Sequence, residues 1–115
     1  MLDVAVQKTK DGHYVFLCYS KLTANKNLTV AISKSKLLGN KLIKTRDIFT
    51  SNHLSKSGVH FGCRLALNDI HLFASLGDRG DRDNAQNPNT HPGSIIKIPL
   101  YGKRKTGNLG WLSEI

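Results

Sequence analysis

An all-β fold is the class this sequence predicts, and three observations predict it. Short runs of strand-forming residues recur along the chain, turn signals separate them, and no segment carries a sustained helical period. Evenly spaced short strands of this kind belong to sandwiches, barrels or propellers, and the pattern alone does not choose among these.

The elements follow in order. Asp11-Gly12 is a turn signal, and residues 13–20, HYVFLCYS, are rich in β-branched and aromatic side chains and have strand length. In residues 28–35, Leu28, Val30 and Ile32 alternate with Thr29, Ala31 and Ser33, which predicts a strand with one buried face. Gly39-Asn40 marks a turn and interrupts the helical period that residues 34–43 would otherwise offer; residues 42–49 are the next strand candidate. Together these make an antiparallel meander. A second set follows. Residues 63–67, CRLAL, and 70–76, IHLFASL, flank the turn Asn68-Asp69, and Ser94 to Ile98 is the last clear strand. Between them, residues 77–93 are long, polar and aperiodic, the kind of loop that is often functional in compact domains. The tail from Gly102 to Gly110 reads as loop, and Trp111 to Ile115 as the start of another strand.

A chain of 115 residues is one ordinary domain by length. With 39% hydrophobic and 22% charged residues it has a globular balance rather than a disordered one. No apolar run approaches the roughly 20 residues needed to span a membrane, so no membrane partner is expected. Met1-Leu2-Asp3-Val4 has no basic region leading into an apolar stretch, and no secretory leader is expected from it. The net charge of +9 attracts polyanions. However, the basic residues are spread singly apart from Lys103-Arg104-Lys105, and no nucleic-acid module is visible, so no nucleic-acid partner is expected. Cys18 and Cys63 are too few for a disulfide framework, and their spacing fits no metal or redox motif. Lying in apolar strands, both are expected to be small buried hydrophobes.

One segment is specific. Residues 57–67 read SGVHFGCRLAL, residues 72–80 LFASLGDRG, residues 83–87 DNAQN, and residues 90–98 THPGSIIKI. In this order they resemble the glucose/sorbosone dehydrogenase family, and especially its soluble aldose sugar dehydrogenase branch. That family has a His-Phe-Gly-x-Arg-Leu segment, a strand ending Leu-Gly-Asp, an Ala-Gln-Asp/Asn loop and a Gly-Lys/Ser-Ile-Ile-Arg-like strand. Leu2 to Val6 and Val15 to Tyr19 are similar to the family's preceding blade. The resemblance implies a six-bladed β-propeller. A blade takes roughly 40–50 residues, so the expectation is a partial propeller, a truncated fragment of about two blades of antiparallel sheet. The first blade is placed at about residues 1–50, the second at about 58–100, and the tail at 101–115.

The family oxidises a sugar's anomeric carbon with hydride transfer to pyrroloquinoline quinone (PQQ), and it binds calcium. The resemblance therefore implies a sugar substrate, PQQ as cofactor and a periplasmic or secreted location in relatives. The family's calcium site is not identifiable in this chain. The stretch that follows Glu114-Ile115 in relatives carries Arg and Asn cofactor contacts, and the later blades supply more. This chain is therefore expected to be inactive alone and not to hold the cofactor by itself. His60 occupies the position of the family's catalytic base, the role that imidazole fills near neutral pH. Asp78 matches its acidic partner, which would fix the tautomer and stabilise imidazolium. The residue types alone also admit a solvated His60 and an Asp78 that merely forms a turn. Arg64 reads as structural, paired with Asp78 or Asp81. Gln86 and His91 are either groove-lining or exposed. His60, His71 and His91 lack metal-ligand spacing, and no metal ligand is assigned. The alternative to an enzyme remnant is a non-enzymatic binding or assembly module built from two blades; a third reading has several copies completing a ring. Exposed blade faces, with Val30, Ile32, Leu72 and Ile96 as candidates, predict self-association.

Overall fold

The computed structural model describes residues 1–100 in full, together with the backbone of two strands at 107–109 and 112–114. Of the tail at 101–115, residues 101–106, 110–111 and 115 lie outside the described residues, while 107–109 form a short strand where loop was expected. The first sheet is a four-stranded antiparallel meander in the order β1 (Asp3–Thr9), β2 (Gly12–Leu22), β3 (Leu28–Leu38), β4 (Lys41–Thr50). The second begins with β5 (Gly62–Leu67), β6 (His71–Leu76) and β7 (Ile95–Pro99), also antiparallel neighbours in chain order. Two three-residue strands extend it: β9 (Leu112–Glu114) pairs parallel with β7, and β8 (Gly107–Leu109) pairs antiparallel with β9. Among the described residues the only helical turns are short 3₁₀ segments, Ala24–Lys26 and Arg82–Gln86, and none is long and apolar enough to cross a membrane. These two sheets are blades of a β-propeller.

The blades face one another across a single core. Phe16, Cys18, Val30 and Ile32 of the first blade pack with Leu72, Ala74, Ile96 and Ile98 of the second, all at most 2% exposed. Val30, Ile32, Leu72 and Ile96 are therefore not the bare faces that the sequence suggested; they are the seam between the blades. Exposed apolar side chains lie elsewhere, among them Val4, Val6, Leu42 and Ile95. The single buried face expected for β3 is also corrected. Thr29 to Ser33 are buried on both sides because β3 lies between β2 and β4, and its small side chains sit among larger neighbours.

Three irregularities of register interrupt the ladders, and the first places adjacent side chains in this core. Ile32 pairs with Phe49 and Ser33 with Asp47, so Ile48 is an extra residue, and the bulge lets adjacent Ile48 and Phe49 both be buried. A second shift lies between Lys34 and Lys36. In β5, Gly62 pairs with Leu76 and Arg64 with Ser75, which leaves Cys63 bulged at φ 79°. Cys63 keeps the inward side of β5 with Leu65 and Leu67, and from there it forms a disulfide with Cys18 of β2. The expectation of two free cysteines is overturned. The bridge covers 45 residues of sequence and ties the two blades together.

Further ties join the blades at their rims. The Asp3 carboxylate on β1 accepts the Leu65 amide of β5 at 2.7 Å. Arg64 lies 3.9 Å from the same carboxylate with its side chain 87% exposed, so it pairs weakly with Asp3 rather than with Asp78 or Asp81. At the other rim Asn52 and His91 hold each other. Asn52 donates its backbone amide to His91 Nδ1, and its side-chain oxygen accepts the His91 amide, both at 3.0 Å.

Candidate functional site

The long segment after β6 folds back over the approach to β5. Leu76 ends β6, and Gly77 and Arg79 then donate their amides to the carbonyls of Phe61 (3.0 Å) and His60 (3.1 Å). This close approach depends on Gly77: a Cβ built there would overlap the carbonyl of His60. On the facing segment, His60 has φ 54° and Gly62 has φ 64°, so the chain turns through left-handed conformations on either side of Phe61. A non-glycine residue at positive φ costs local energy and persists only where its surroundings hold it.

The two crossing segments bring His60 and Asp78 together at one end of the second blade. His60 Nδ1 lies 2.8 Å from Asp78 Oδ1, and the Gly80 amide donates to the same oxygen at 2.8 Å. An ionised carboxylate only accepts, so Nδ1 carries the hydrogen. In the neutral ring Nε2 is then left as a lone pair, and the ring is fixed in one tautomer. The Gly80 amide, followed by His60, draws the Asp78 carboxyl below the usual carboxylate range. A depressed carboxylate stabilises the fold at pH above its unfolded value, and that contribution is lost as pH falls through the lower folded value. Asp78 is thus an anion at neutral pH, able to stabilise a positive charge on the neighbouring imidazole. Side-chain exposure is 63% for His60 and 26% for Asp78, so the ring is open to an incoming hydroxyl.

Other candidate residues fall elsewhere. Gln86 is exposed at the end of the 3₁₀ turn. His91 is half-buried, with its ring 5.0 Å from that of Phe49, and burial pushes its imidazole below the ordinary value. With Nδ1 accepting from the Asn52 amide, it serves as a clip between blades rather than a groove wall. Among the described residues no group of three His, Cys, Asp or Glu side chains could hold a metal ion. Folding also gathers basic residues that look scattered in the sequence: Lys34, Lys36, Lys44 and Arg46 line an open groove of about 270 Å³ beside Tyr14 and Ser35.

Two contributors to the site do not stand out in the sequence. Gly77 is needed for the crossing, and Arg79 lies beneath it. Gly77 belongs to the Leu-Gly-Asp segment of the resemblance, but on residue type alone Gly77-Asp78-Arg79-Gly80 reads as a turn and announces neither the crossing nor the buried arginine.

A family model described as Glucose / Sorbosone dehydrogenase matches residues 1–110. No curated protein matches the chain. Among solved structures, the soluble aldose sugar dehydrogenase from Escherichia coli, in its apo-form, is similar with a TM-score of 0.70 and 25% identity, over 75% of this chain and 26% of that one. Two structures of glucose dehydrogenase share the fold: one with a TM-score of 0.74 and 23% identity over 83% of this chain, the other with 0.71 and 23% over 80%. The chain spans 26% to 29% of the length of these structures.

Proposed function

Because the chain belongs to the glucose/sorbosone dehydrogenase family, we propose that it carries the proton-accepting side of a sugar-oxidising site, with His60 as base and Asp78 as its carboxylate partner. The observation that carries this reading is the 2.8 Å contact between His60 Nδ1 and Asp78 Oδ1, which leaves Nε2 bare and exposed. Oxidation of an aldose at its anomeric carbon removes the hydroxyl proton and the carbon-bound hydrogen as hydride, leaving a lactone. His60 Nε2 takes the proton and Asp78 stabilises the resulting imidazolium, a form of general base catalysis worth about 10²–10⁴-fold. PQQ, the acceptor implied by the family, would supply the chemistry of hydride uptake when bound.

The residues here fit the proton side of that reaction and not the cofactor's cradle. A quinone with several carboxylates asks for cations and a stacking surface. Beside His60, Arg79 is buried and committed to carbonyls and Arg82 lies near the Asp78 carboxylate, while the basic groove at Tyr14 lies further along β3, away from the Leu28 end that Arg79 contacts. Nor do the described residues gather the acidic cage that calcium requires. We therefore place the cofactor-binding groups outside residues 1–100, and we expect the 115-residue chain by itself neither to bind PQQ at micromolar concentration nor to oxidise aldoses.

Nitrogen-15 NMR of the histidine ring tests the pair directly. In its neutral form the His60 ring should show a protonated Nδ1 and a bare Nε2. Asp78→Asn should release that tautomer preference, since an amide can present either a donor or an acceptor to the ring. A His60 ring protonated at Nε2 with Nδ1 bare would overturn the assignment of this residue as base.

A further inference from the structure

The guanidinium of Arg79 is an unusual charge to find inside so small a protein. The residue is 4% exposed, and burial pulls its pKa below the ordinary arginine value. The hydrogen bonds of its guanidinium run to main-chain carbonyls. Nη1 donates to Val59 O at 2.8 Å, and Nη2 donates to Ser57 O at 2.9 Å and to Leu28 O at 3.1 Å. The ring of Phe61 covers it, with the guanidinium carbon 3.9 Å from the ring centroid. Its Nε is buried without a partner among the described residues. Burying a charge in this way is costly, and a methylene chain of similar volume would avoid the cost. What the charge provides is geometric. One planar fork reaches several carbonyls at once, which an ammonium cannot reproduce in the same arrangement.

Those contacts surround His60. Arg79 holds Ser57 and Val59 through its guanidinium, His60 through its own backbone amide, and Phe61 through the face of the ring. His60 lies in the middle of this grip at positive φ, a conformation that needs its neighbours fixed. The bond to Leu28 O carries the grip across to the first blade at the start of β3, where Leu28 and Ser55 also exchange backbone hydrogen bonds. Asp78 and Arg79 thus work in opposite directions from adjacent positions. Asp78 reaches up to the ring of His60, while Arg79 reaches down to the backbone that carries that ring.

We propose that Arg79 is a positioning residue for His60: its buried guanidinium holds residues 57–61 in the one conformation that brings the imidazole within hydrogen-bonding distance of Asp78. The proposal rests on the reading of His60 as a base paired with Asp78. It adds that the pair is assembled by an interaction beneath it, not by the local turn alone.

The test compares the unaltered chain with Arg79→Met and Arg79→Lys. It reads the His60 ring nitrogens and confirms in each sample that the Cys18–Cys63 bridge and the β1–β4 amide spectrum are intact. Arg79→Met should lose the Nδ1-protonated signature of His60 while the first blade stays folded. Arg79→Lys, which keeps charge and stem but lacks the fork, should fail to restore it. A folded Arg79→Met or Arg79→Lys chain with an unchanged His60 signature would overturn the proposal. Should both variants unfold, the unaltered chain still decides. Hindered rotation of the Arg79 Nη groups is expected from their three carbonyl bonds, and free rotation would overturn the proposal. Failure here is separable from failure of the base assignment, which is decided by the unaltered chain's own tautomer and by kinetics of His60 variants.

Discussion

A single missing side chain decides whether the site can exist. Gly77 lets the strand that ends β6 lie against the carbonyl of His60, and any Cβ there must push the two segments apart. Gly77→Ala should therefore destabilise the chain by about 1–3 kcal/mol, the range for forcing extra atoms into a packed place. It should also separate His60 from Asp78, which lie 2.8 Å apart in the native chain. Urea unfolding monitored by tryptophan fluorescence or circular dichroism measures the first effect, and the His60 ring-nitrogen spectrum measures the second. A variant with native stability and an unchanged ring spectrum would show that the crossing is looser than described. The family resemblance marked His60 and Asp78 and included Gly77 in its Leu-Gly-Asp segment, but it gave no role to Gly77 or Arg79. Glycine and arginine beside an aspartate suit an exposed turn as well as a buried clamp, and only the crossing with residues 57–61 separates the two.

Strands were legible because alternation and turn chemistry are local. Gly39-Asn40 and Asn68-Asp69 stand at the turns between β3 and β4 and between β5 and β6, as their residue types require. The long loop after β6 was legible as a loop, but its short 3₁₀ turn has no periodicity to announce it. The disulfide was not legible, for a definite reason. Cys63 lies on the inward side of β5 and Cys18 is buried on β2, and only the packing of one blade on the other brings these two residues, 45 apart in sequence, into contact. Closing a loop of 45 residues restricts the unfolded chain by about 4 kcal/mol in the chain-entropy model. Reduction should consequently lower the urea midpoint of the isolated chain substantially, and Cys18→Ala should behave like the reduced protein. Equal midpoints with and without reductant, with the bridge verified by mass, would show that the two blades hold together without it. Disulfides persist in oxidising surroundings, so the bridge is compatible with the periplasmic or secreted setting expected from the family.

At the scale of the molecule, two blades share one seam and leave other surfaces bare. Val4 and Val6 on the edge strand β1, Leu42 on the opposite edge strand β4 and Ile95 on β7 are exposed apolar side chains. Open strand edges invite pairing with another chain, and the net charge of +9 opposes this without covering them. We expect self-association, with a ring of a few copies as its ordered form and aggregates as the commoner one. Light scattering behind size-exclusion chromatography should give a mass above the 12.7 kDa of one chain. A sharply melting monomer at high concentration would mean that the seam alone makes a self-sufficient core. We propose that this body supplies the base of a site whose cofactor is held elsewhere in a complete propeller. Kinetics in a completed ring test it most directly. Residues 1–100 are exchanged for the matching segment of a complete aldose sugar dehydrogenase, and glucose-dependent dye reduction is measured with PQQ and calcium present. The chimera should be active, and its kcat should fall about 100-fold or more on His60→Gln. A His60→Gln chimera as fast as its parent would contradict it.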